Sequence, residues 1–293
     1  MHIASLIARP GTLTPEIAEG TFKALLCSEE TQWLAPLEAA EAPLPSIPPD
    51  ANSIWRDLQT AGVDFNILPA TNRQKKILLA DMDSTMIEQE CLDELGIAAG
   101  VGDQVVEITQ RAMNGELDFE EALDARVSLL EGQPESLIQD TLNNVITYMP
   151  GGEVLLDTMK ADGAYAALVS GGFTDFTEAV ANQLGFDEHR ANTLLRAGGK
   201  LTGKTGKPVL GRDAKVTALN EITSRLNVTA DDVLAVGDGA NDLGMLLAAG
   251  LGVAAHAKPT VQAEAKVRVN HGDLTALLYL QGYFKSDFEF PKE

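Results

Sequence analysis

Residues 77–85 read Ile-Leu-Leu-Ala-Asp-Met-Asp-Ser-Thr, so a short apolar run ends directly in two aspartates. Two later runs end in a similar way. The run at 166–169 leads into Ser-Gly-Gly-Phe at 170–173, and the run at 233–236 leads into Gly-Asp-Gly-Ala-Asn-Asp at 237–242. Such runs are typical of buried parallel strands, whose carboxyl ends open onto one crevice. We therefore expect a single crevice to be lined by Asp81, Asp83, Ser170, Asp238 and Asp242.

The same pattern extends over most of the chain. Further apolar runs at 251–254 and 267–269 alternate with helical stretches, which predicts an α/β fold with a Rossmann-like parallel sheet covered by helices on both faces. A helical insert at about residues 89–150 follows the first core strand, and Asp118 is a good N-cap for one of its helices. Glycine-containing turns predict a β-hairpin within 194–211.

The N-terminal residues form a separate pattern, which predicts a small α/β domain at 1–73 and a core at 74–293. The predicted elements are strands at 2–8, 32–37 and 63–68 and helices at Thr14–Leu26 and Ile54–Ala61. The proline-rich stretch at 39–50 is interpreted as a loop, because proline cannot donate to a strand ladder. The basic string at 73–76 is interpreted as a solvated linker.

The charge of the chain limits its partners. Lys and Arg number 22 against 43 Asp and Glu, which gives a formal net charge of −21. A chain this acidic is not attracted to nucleic acid or to an anionic membrane. Two cysteines form no disulfide framework, and neither a signal peptide nor a membrane-spanning run is recognised. We expect a soluble, cytoplasmic protein whose partner is a small-molecule substrate.

The expected crevice holds too many carboxylates for all of them to remain ionised without a cation. Oxygen ligands favour a hard ion, Mg²⁺ before Ca²⁺. A carboxylate on Mg²⁺ that faces a glycine-rich loop suits phosphoryl transfer, with a second carboxylate as the nucleophile. A lysine would help to hold the transferring oxygens. Lys215 is the best candidate, although Lys204, Lys207 and Arg212 lie nearby in the sequence.

Taken together and in this order, the Asp-Met-Asp-Ser-Thr, Ser-Gly-Gly, lysine and Gly-Asp-Gly-Ala-Asn-Asp elements resemble those of the haloacid dehalogenase superfamily of phosphatases. The resemblance covers roughly residues 76–285 and is greatest to the phosphoserine phosphatases. It implies that Asp81 is the nucleophile that forms an aspartyl-phosphate. It also implies that Asp83 protonates the leaving oxygen and then deprotonates the attacking water. Crowding by like charges could raise the pKa of Asp83 for this first task.

The resemblance also implies the metal and phosphate ligands. Mg²⁺ would be held by the carboxylates of Asp81 and Asp238 and by the backbone carbonyl of Asp83, with Asp242 in the acidic shell behind. The phosphate would be bound by Ser170 and the Gly171 N–H and neutralised by Lys215, with Asn241 beside the substrate.

In the family that the chain resembles, the helical insert is a cap that selects the substrate. The resemblance assigns Glu90 to the substrate ammonium group, Arg126 to its carboxylate and Phe119 to covering the crevice. A planar guanidinium can bind a carboxylate through two hydrogen bonds. An alternative for Arg126 is an ordinary surface ion pair with Glu121, Asp124 or Glu131. Glu90 could likewise be one of several exposed acids, and Phe119 a cap contact.

The resemblance therefore implies Mg²⁺-dependent hydrolysis of O-phospho-L-serine in serine biosynthesis. One alternative is a phosphotransferase that passes the phosphoryl group to another hydroxyl amino acid, such as homoserine. Another is a non-catalytic regulator that binds Mg²⁺ or an amino acid. Many family members carry an ACT-like ligand-binding or dimerisation domain at the N-terminus, so residues 1–73 are compatible with an ACT-like domain and with a homodimer.

Overall fold

The N-terminal unit is a four-stranded antiparallel sheet with two helices. The structure is a computed structural model that describes residues 1–27, 31–113 and 116–291. The elements of this unit are β1 (His2–Ala8), α1 (Pro15–Ala24), β2 (Gln32–Ala35), β3 (Ala39–Leu44), α2 (Ala51–Thr60) and β4 (Val63–Pro69). The strand order β2-β3-β1-β4 and the βαββαβ succession are those of a ferredoxin-like unit. The three predicted strands and two predicted helices are confirmed.

The interpretation of residues 39–50 as a loop is wrong for its first half, because β3 is a strand between β1 and β2. Strand β2 pairs with β3 no further than Glu41, whereas β1 continues to pair with β3 as far as Leu44. Pro43 therefore lies where β3 has a neighbour on one side, a position at which a strand tolerates proline. The alanines at 39, 40 and 42 are fully buried, and this burial was not visible in the composition of the stretch.

The core begins with β5 (Ile77–Ala80), and the insert after it is helical, as predicted. The helices of the insert are α3 (Cys91–Ala98), α4 (Gly102–Met113), α5 (Phe119–Ser128) and α6 (Ser136–Asn144). Asp118 is the N-cap of α5, since its side chain accepts the Glu121 N–H and the Glu121 side chain accepts the Asp118 N–H. We call α3–α6 the cap.

The remaining elements complete the core sheet and its covering helices. They are α7 (Gly152–Ala161), β6 (Tyr165–Phe173), α8 (Thr174–Leu184), β7 (Glu188–Asn192), β8 (Leu194–Ala197), β9 (Lys200–Thr205), α9 (Arg212–Leu226), β10 (Val233–Gly237), α10 (Leu243–Ala248), β11 (Leu251–Ala255), α11 (Pro259–Glu264), β12 (Val267–Val269) and α12 (Ala276–Leu280). The predicted hairpin is confirmed as β8 and β9, but it ends at Thr205. In the ranges the structure describes, no helix is long and apolar enough to cross a membrane.

The core sheet is parallel, with the strand order β12-β11-β10-β5-β6-β7, which confirms the predicted fold class. The chain enters at β5, adds β6 and β7 on one side, and then crosses to add β10, β11 and β12 on the other. Strands β5 and β10 therefore flank the point where the strand order reverses, and the crevice at their carboxyl ends is the usual ligand position in such sheets. Alternate residues of β5 face opposite layers: Ile77 and Leu79 pack in one apolar cluster, and Leu78 and Ala80 in the other.

The N-terminal sheet packs on the core instead of standing apart from it. One face is covered by α1 and α2, while Ile7, Ala39 and Leu68 on the other face join the apolar cluster that contains Tyr279 of α12. The interpretation of the basic string as a solvated linker is wrong for Arg73. Its guanidinium donates to both carboxylate oxygens of Glu41, at 2.9 and 2.7 Å, and to backbone carbonyls of α12.

Candidate active site

The loop that follows β5 turns sharply enough to hold two carboxylates at the floor of the crevice. The N–H of Asp81 still donates to Val236 of β10, so the side chain of Asp81 leaves the sheet at a fixed point. Backbone N–H groups of Thr85, Met86 and Ile87 then converge on the Met82 carbonyl. Ser84 has a φ of 53°, which is in the left-handed region that few residues other than glycine occupy.

Three buried carboxylates meet at the end of β5 and β10. Oxygens of Asp81, Asp238 and Asp242 all lie within 4.8 Å of one another. The ammonium group of Lys215, which is 2% exposed, lies 2.6 Å from Asp81 and 2.5 Å from Asp242. Burial by itself would lower the pKa of Lys215, but the charges of Asp81 and Asp242 outweigh it and raise the pKa. Lys215 is thus a buried, charged lysine, which distinguishes it from its neighbours in the sequence.

Helix α9 positions Lys215. The helix begins at Arg212, so Lys215 lies in its first turn, where its side chain is buried. Glycine makes the approach of Asp242 feasible, because a Cβ placed on Gly237 would lie 2.4 Å from the Asp242 Cγ. The side chain of Asp242 also accepts the Gly239 N–H at 2.9 Å.

The carboxylate cluster fits a hard divalent cation. Lys215 pairs with two of the three carboxylates, and burial followed by the charge of Asp81 raises the pKa of Asp238 to about 6. Burial, followed again by the charge of Asp81, also raises the pKa of Asp242. Crowded carboxylate oxygens with no sulfur or imidazole among them are the donors that Mg²⁺ prefers. The Thr85 hydroxyl lies 3.5 Å from Asp238 and steadies it.

Asp83 lies beside this cluster but has a different environment. Its Oδ1 is buried and, among the described residues, has no hydrogen-bond partner. Burial raises the pKa of Asp83 to about 8, and the charge of Glu90 adds to this effect more than the charge of Asp81 does. The expected direction of the shift is confirmed, but crowding by like charges is its lesser cause. A carboxyl group with this pKa can carry a proton near neutral pH.

The sequence pattern predicted that the second core strand ends before Ser170, but residues 170–172 lie within β6 as a bulged loop, because its pairing with β7 is irregular between Val169 and Phe173. The Ser170 side chain is buried, and its Oγ accepts the Gly172 N–H at 2.8 Å. The ring of Phe119 lies over this loop, since a Cβ placed on Gly171 would lie 3.3 Å from its Cζ. The cap therefore reaches across to the core at Phe119. Asn241, which is partly buried, borders the same crevice through its neighbour Asp242.

Two cap residues of opposite charge lie near Asp83. The Glu90 carboxylate, which is open to solvent yet largely surrounded by protein, accepts the Ser84 hydroxyl at 3.0 Å. Burial raises the pKa of Glu90. Burial lowers the pKa of Arg126, and the nearby charges of Asp93, Glu90 and Asp83 partly offset this effect.

The alternative of a surface ion pair for Arg126 is not borne out for two of its three partners. Glu121 binds the backbone N–H of Asp118, at 3.0 Å, in the cap of α5. Asp124 accepts hydrogen bonds from Thr205 and Lys207 of the core, at 2.8 and 3.0 Å. The guanidinium of Arg126 instead donates to the Ala122 carbonyl of its own helix, at 3.2 Å, and lies near the acids of the crevice.

Sequence reasoning missed three residues of this region. Thr85 steadies Asp238, Asp93 lies near Arg126, and the ammonium group of Lys258 is 3.8 Å from Asp238. Lys258 had a usable signal, because it follows β11 at the same edge of the sheet as the other site residues. Thr85 and Asp93 had none, since their partners are brought together by the fold.

Several known proteins are similar to this chain. A phosphoserine phosphatase of Streptomyces coelicolor is 41% identical over 230 residues, which is 78% of this chain and 56% of that protein. The chain thus spans little more than half the length of this relative.

Solved structures show the same similarity. The hydrolase t0658 of the haloacid dehalogenase family from Salmonella enterica serovar Typhi matches with a TM-score of 0.86 and 30% identity, over 96% of this chain and 98% of that chain. A phospho-aspartyl intermediate analogue of phosphoserine phosphatase matches with a TM-score of 0.66 and 38% identity, over 70% and 98%. Residues 78–247, more than half of the chain, match the haloacid dehalogenase-like hydrolases. The chain therefore belongs to the family of haloacid dehalogenase-like hydrolases.

Proposed function

We propose that this protein is a Mg²⁺-dependent phosphatase that hydrolyses O-phospho-L-serine to L-serine and phosphate, a reaction of serine biosynthesis. The observation that carries the proposal is the pair of opposite charges at the crevice, Glu90 and Arg126, near the carboxyl group of Asp83. Beyond its phosphate, phosphoserine carries an ammonium group and a carboxylate. One acid and one arginine at the crevice complement these two groups.

The chemistry proceeds in two displacements at phosphorus, in which Asp81 is first the nucleophile and then the leaving group. A carboxylate oxygen of Asp81 attacks phosphorus, the bond from phosphorus to the seryl oxygen breaks, and Asp83 gives its proton to that oxygen. Serine leaves and the phosphoryl group remains on Asp81. Asp83, now ionised, takes a proton from water as the water oxygen attacks phosphorus, and phosphate leaves with Asp81 restored. The raised pKa and the unpartnered Oδ1 of Asp83 support this role.

Charge balance supports the same reaction. When bound, Mg²⁺ supplies positive charge to the phosphoryl oxygens, and we assign it to the carboxylates of Asp81 and Asp238 and the Asp83 carbonyl. Lys215 neutralises Asp81 and Asp242 before the substrate arrives and would face the transferring oxygens afterwards. We assign Ser170 and the Gly171 N–H to the phosphate oxygens and Asn241 to a place beside them.

The cap supplies selectivity in this proposal. Glu90 binds the substrate ammonium group, and Arg126 binds the carboxylate. Phe119, which is 37% exposed and rests over the phosphate loop, excludes water once the substrate is bound. A simple aryl phosphate lacks both charged groups, so it should use the core residues without the cap pair.

Phosphate release from L-phosphoserine tests the proposal directly. We expect the wild type with Mg²⁺ to release phosphate without an added hydroxyl acceptor, and we expect EDTA to abolish the release. Cleavage of p-nitrophenyl phosphate but not of phosphoserine would retain the core chemistry and overturn the substrate. If phosphate release requires an added hydroxyl amino acid, the protein is a phosphotransferase. If neither ester is cleaved with Mg²⁺ present, the catalytic proposal fails.

A further inference from the structure

A buried carboxylate joins the N-terminal unit to the core at residues 270–272. Asp64 of β4 is fully buried, and its oxygens accept three consecutive backbone N–H groups of the core. These donors are Asn270 at 2.8 Å, His271 at 2.9 Å and Gly272 at 3.0 Å. Gln59 of α2 extends the contact, because its side-chain oxygen accepts the Asn270 amide at 2.8 Å. The segment 270–272 directly follows β12, so the N-terminal unit holds the chain where it leaves the core sheet.

The residues after this segment hold the connection between core and cap. The Leu274 N–H donates to the Pro150 carbonyl at 3.0 Å. Gly151 has a φ of 81°, and a Cβ placed on it would lie 2.7 Å from the Thr275 nitrogen. A Cβ on Gly152 would lie 3.4 Å from the Leu274 side chain. Segment 273–275 is therefore a close-fitting seat for residues 150–152.

Residues 150–152 directly follow one side of a two-stranded hinge. The chain enters the cap through 86–88 and returns through 147–149. The two segments are joined by the hydrogen bonds from Met149 N–H to Met86 and from Glu88 N–H to Thr147, each 3.0 Å. A rotation of the cap must change the backbone torsion angles at these residues or just beyond them. Residues 150–152, which lead out of the hinge, pack on 273–275.

We propose that Asp64 is a positioning residue that couples the N-terminal unit to the cap hinge. By holding 270–272, Asp64 fixes the seat at 273–275 and so sets how readily the hinge at 147–152 opens. The proposal rests on the proposed function in one respect, namely that the cap must open and close around the substrate. The N-terminal unit thereby influences catalysis without contributing a residue to the crevice.

Asn66 provides a matched control on the same strand. It lies two residues after Asp64, on the same face of β4, and its amide pairs with the Arg268 backbone at 2.8 and 2.9 Å. Asn66 therefore contributes to the same interface, but its contact ends within β12. Loss of Asn66 should loosen the docking of the N-terminal unit without releasing the seat.

Hydrogen–deuterium exchange measured on the 293-residue chain tests the coupling without any ligand. In Asp64→Asn, an amide NH2 group replaces one carboxylate oxygen, so one or two of the three N–H groups lose their acceptor, and we expect exchange at 270–272 to be about tenfold faster than in the wild type. If the coupling exists, peptides that contain 147–152 will also exchange about tenfold faster. In Asn66→Ala, faster exchange should be confined to β4 and β12. Unchanged exchange at 147–152 in a folded Asp64→Asn protein would overturn the proposal.

Leu274→Ala keeps the test valid if Asp64→Asn does not fold. It removes the Leu274 side chain that packs beside Gly152 and keeps the backbone N–H that donates to Pro150, so 147–152 should exchange faster while 270–272 remains protected by Asp64. Wild-type exchange at 147–152 in this variant would contradict the proposal.

Kinetics separate the proposal from the proposed function. We expect Asp64→Asn to change KM for phosphoserine about tenfold and kcat by less than about fivefold, because the cap closes on this substrate. If the wild type does not hydrolyse phosphoserine, the proposed function is wrong, but the exchange experiment still tests the coupling.

Discussion

The crevice and the interface between the N-terminal unit and the core both bury carboxylates, but they satisfy them differently. At the interface, Asp64 accepts three backbone N–H groups and Glu41 is paired with both ends of the Arg73 guanidinium. In the crevice, two of the three clustered carboxylates share the ammonium group of Lys215, and the third, Asp238, has the ammonium group of Lys258 at 3.8 Å. The nearby Asp83 has an oxygen without a partner among the described residues.

The two arginines repeat the contrast. Arg73 donates to a carboxylate and to two backbone carbonyls, whereas the Arg126 side chain donates to the Ala122 carbonyl of its own helix. Partners that hydrogen-bond to a buried charge offset the free energy that it loses when it leaves water. A buried charge with unused capacity costs stability and is available for a ligand. The difference distinguishes the groups that hold the N-terminal unit on the core from the groups that we propose bind Mg²⁺ and substrate.

Among the substitutions that test this difference between the two regions, Asp81→Asn should have the largest effect. The amide cannot act as nucleophile, so we expect kcat for phosphoserine to fall by about 10⁴-fold or more. Because the substitution removes one charge from a crowded cluster, the free energy of unfolding of the metal-free protein should not fall. Phosphate release and urea denaturation measure the two quantities. Residual activity near that of the wild type would exclude Asp81 as the nucleophile.

The corresponding change at the interface, Asp64→Asn, should show the opposite balance. One or two of the three buried N–H groups would face the NH2 group of an amide instead of a carboxylate oxygen, and we expect the free energy of unfolding to fall by about 2–4 kcal/mol. Catalysis should persist, since Asp64 lies outside the crevice. Asp57→Asn, at an exposed position of α2, is the control and should be neutral. Equal stability of the two variants would contradict the contrast.

Arg126→Ala should affect substrate selection with little effect on folding. Without the guanidinium, the phosphoserine carboxylate loses its partner, and kcat/KM should fall about 100-fold. Hydrolysis of p-nitrophenyl phosphate, which has no carboxylate, should change by only a few-fold. Arg111→Ala removes an exposed cap arginine paired with Glu116 and serves as the control. An equal loss for both esters would show that Arg126 acts on the chemistry or the fold instead.

The smallest expected effect is a pH dependence carried by Glu90. Burial raises the pKa of Glu90 above the ordinary glutamate value, so the carboxylate takes up a proton at a higher pH than an exposed glutamate does. The protonated form does not attract an ammonium group. KM for phosphoserine should therefore rise about tenfold as the pH falls through that pKa.

Steady-state kinetics over a pH series, with Glu90→Gln for comparison, measure this dependence. Glu90→Gln should have a high KM at every pH, and the exposed cap variant Glu107→Gln should behave as the wild type. A wild-type KM that is independent of pH would argue against Glu90 as the partner of the ammonium group.

The sequence predicted the position of the crevice better than the interface between the N-terminal unit and the core, for a physical reason. Asp81 and Asp238 directly follow buried strands, and parallel strands bring their carboxyl ends together whatever the rest of the chain does. The polar residues of the interface have no such rule. Asp64, Glu41 and Arg73 are ordinary surface residue types, and only the docking of one sheet on α12 and β12 buries them.

Strand β3 and the hinge contacts are two further features that the sequence did not predict. Pro43 predicts a loop by local propensity, but the pairing of β1 beyond the end of β2 provides a place where proline is tolerated. The contacts from Asp64 to 270–272, and from Leu274 to Pro150, link residues that are far apart in the chain. No local pattern encodes such contacts, because each depends on two independently folded surfaces meeting.

By itself, the sequence determined the α/β class, the parallel core sheet, the inserted cap and the acidic ends of its strands. These follow from the period of apolar residues and from what stands at the end of each run. Tertiary structure decided which charges are satisfied: it buried Lys215 between Asp81 and Asp242, left an oxygen of Asp83 without a partner in the described part of the chain and gave Asp64 its three donors. Burial and partner geometry set the energetic role of a charge, and both are properties of the assembled fold.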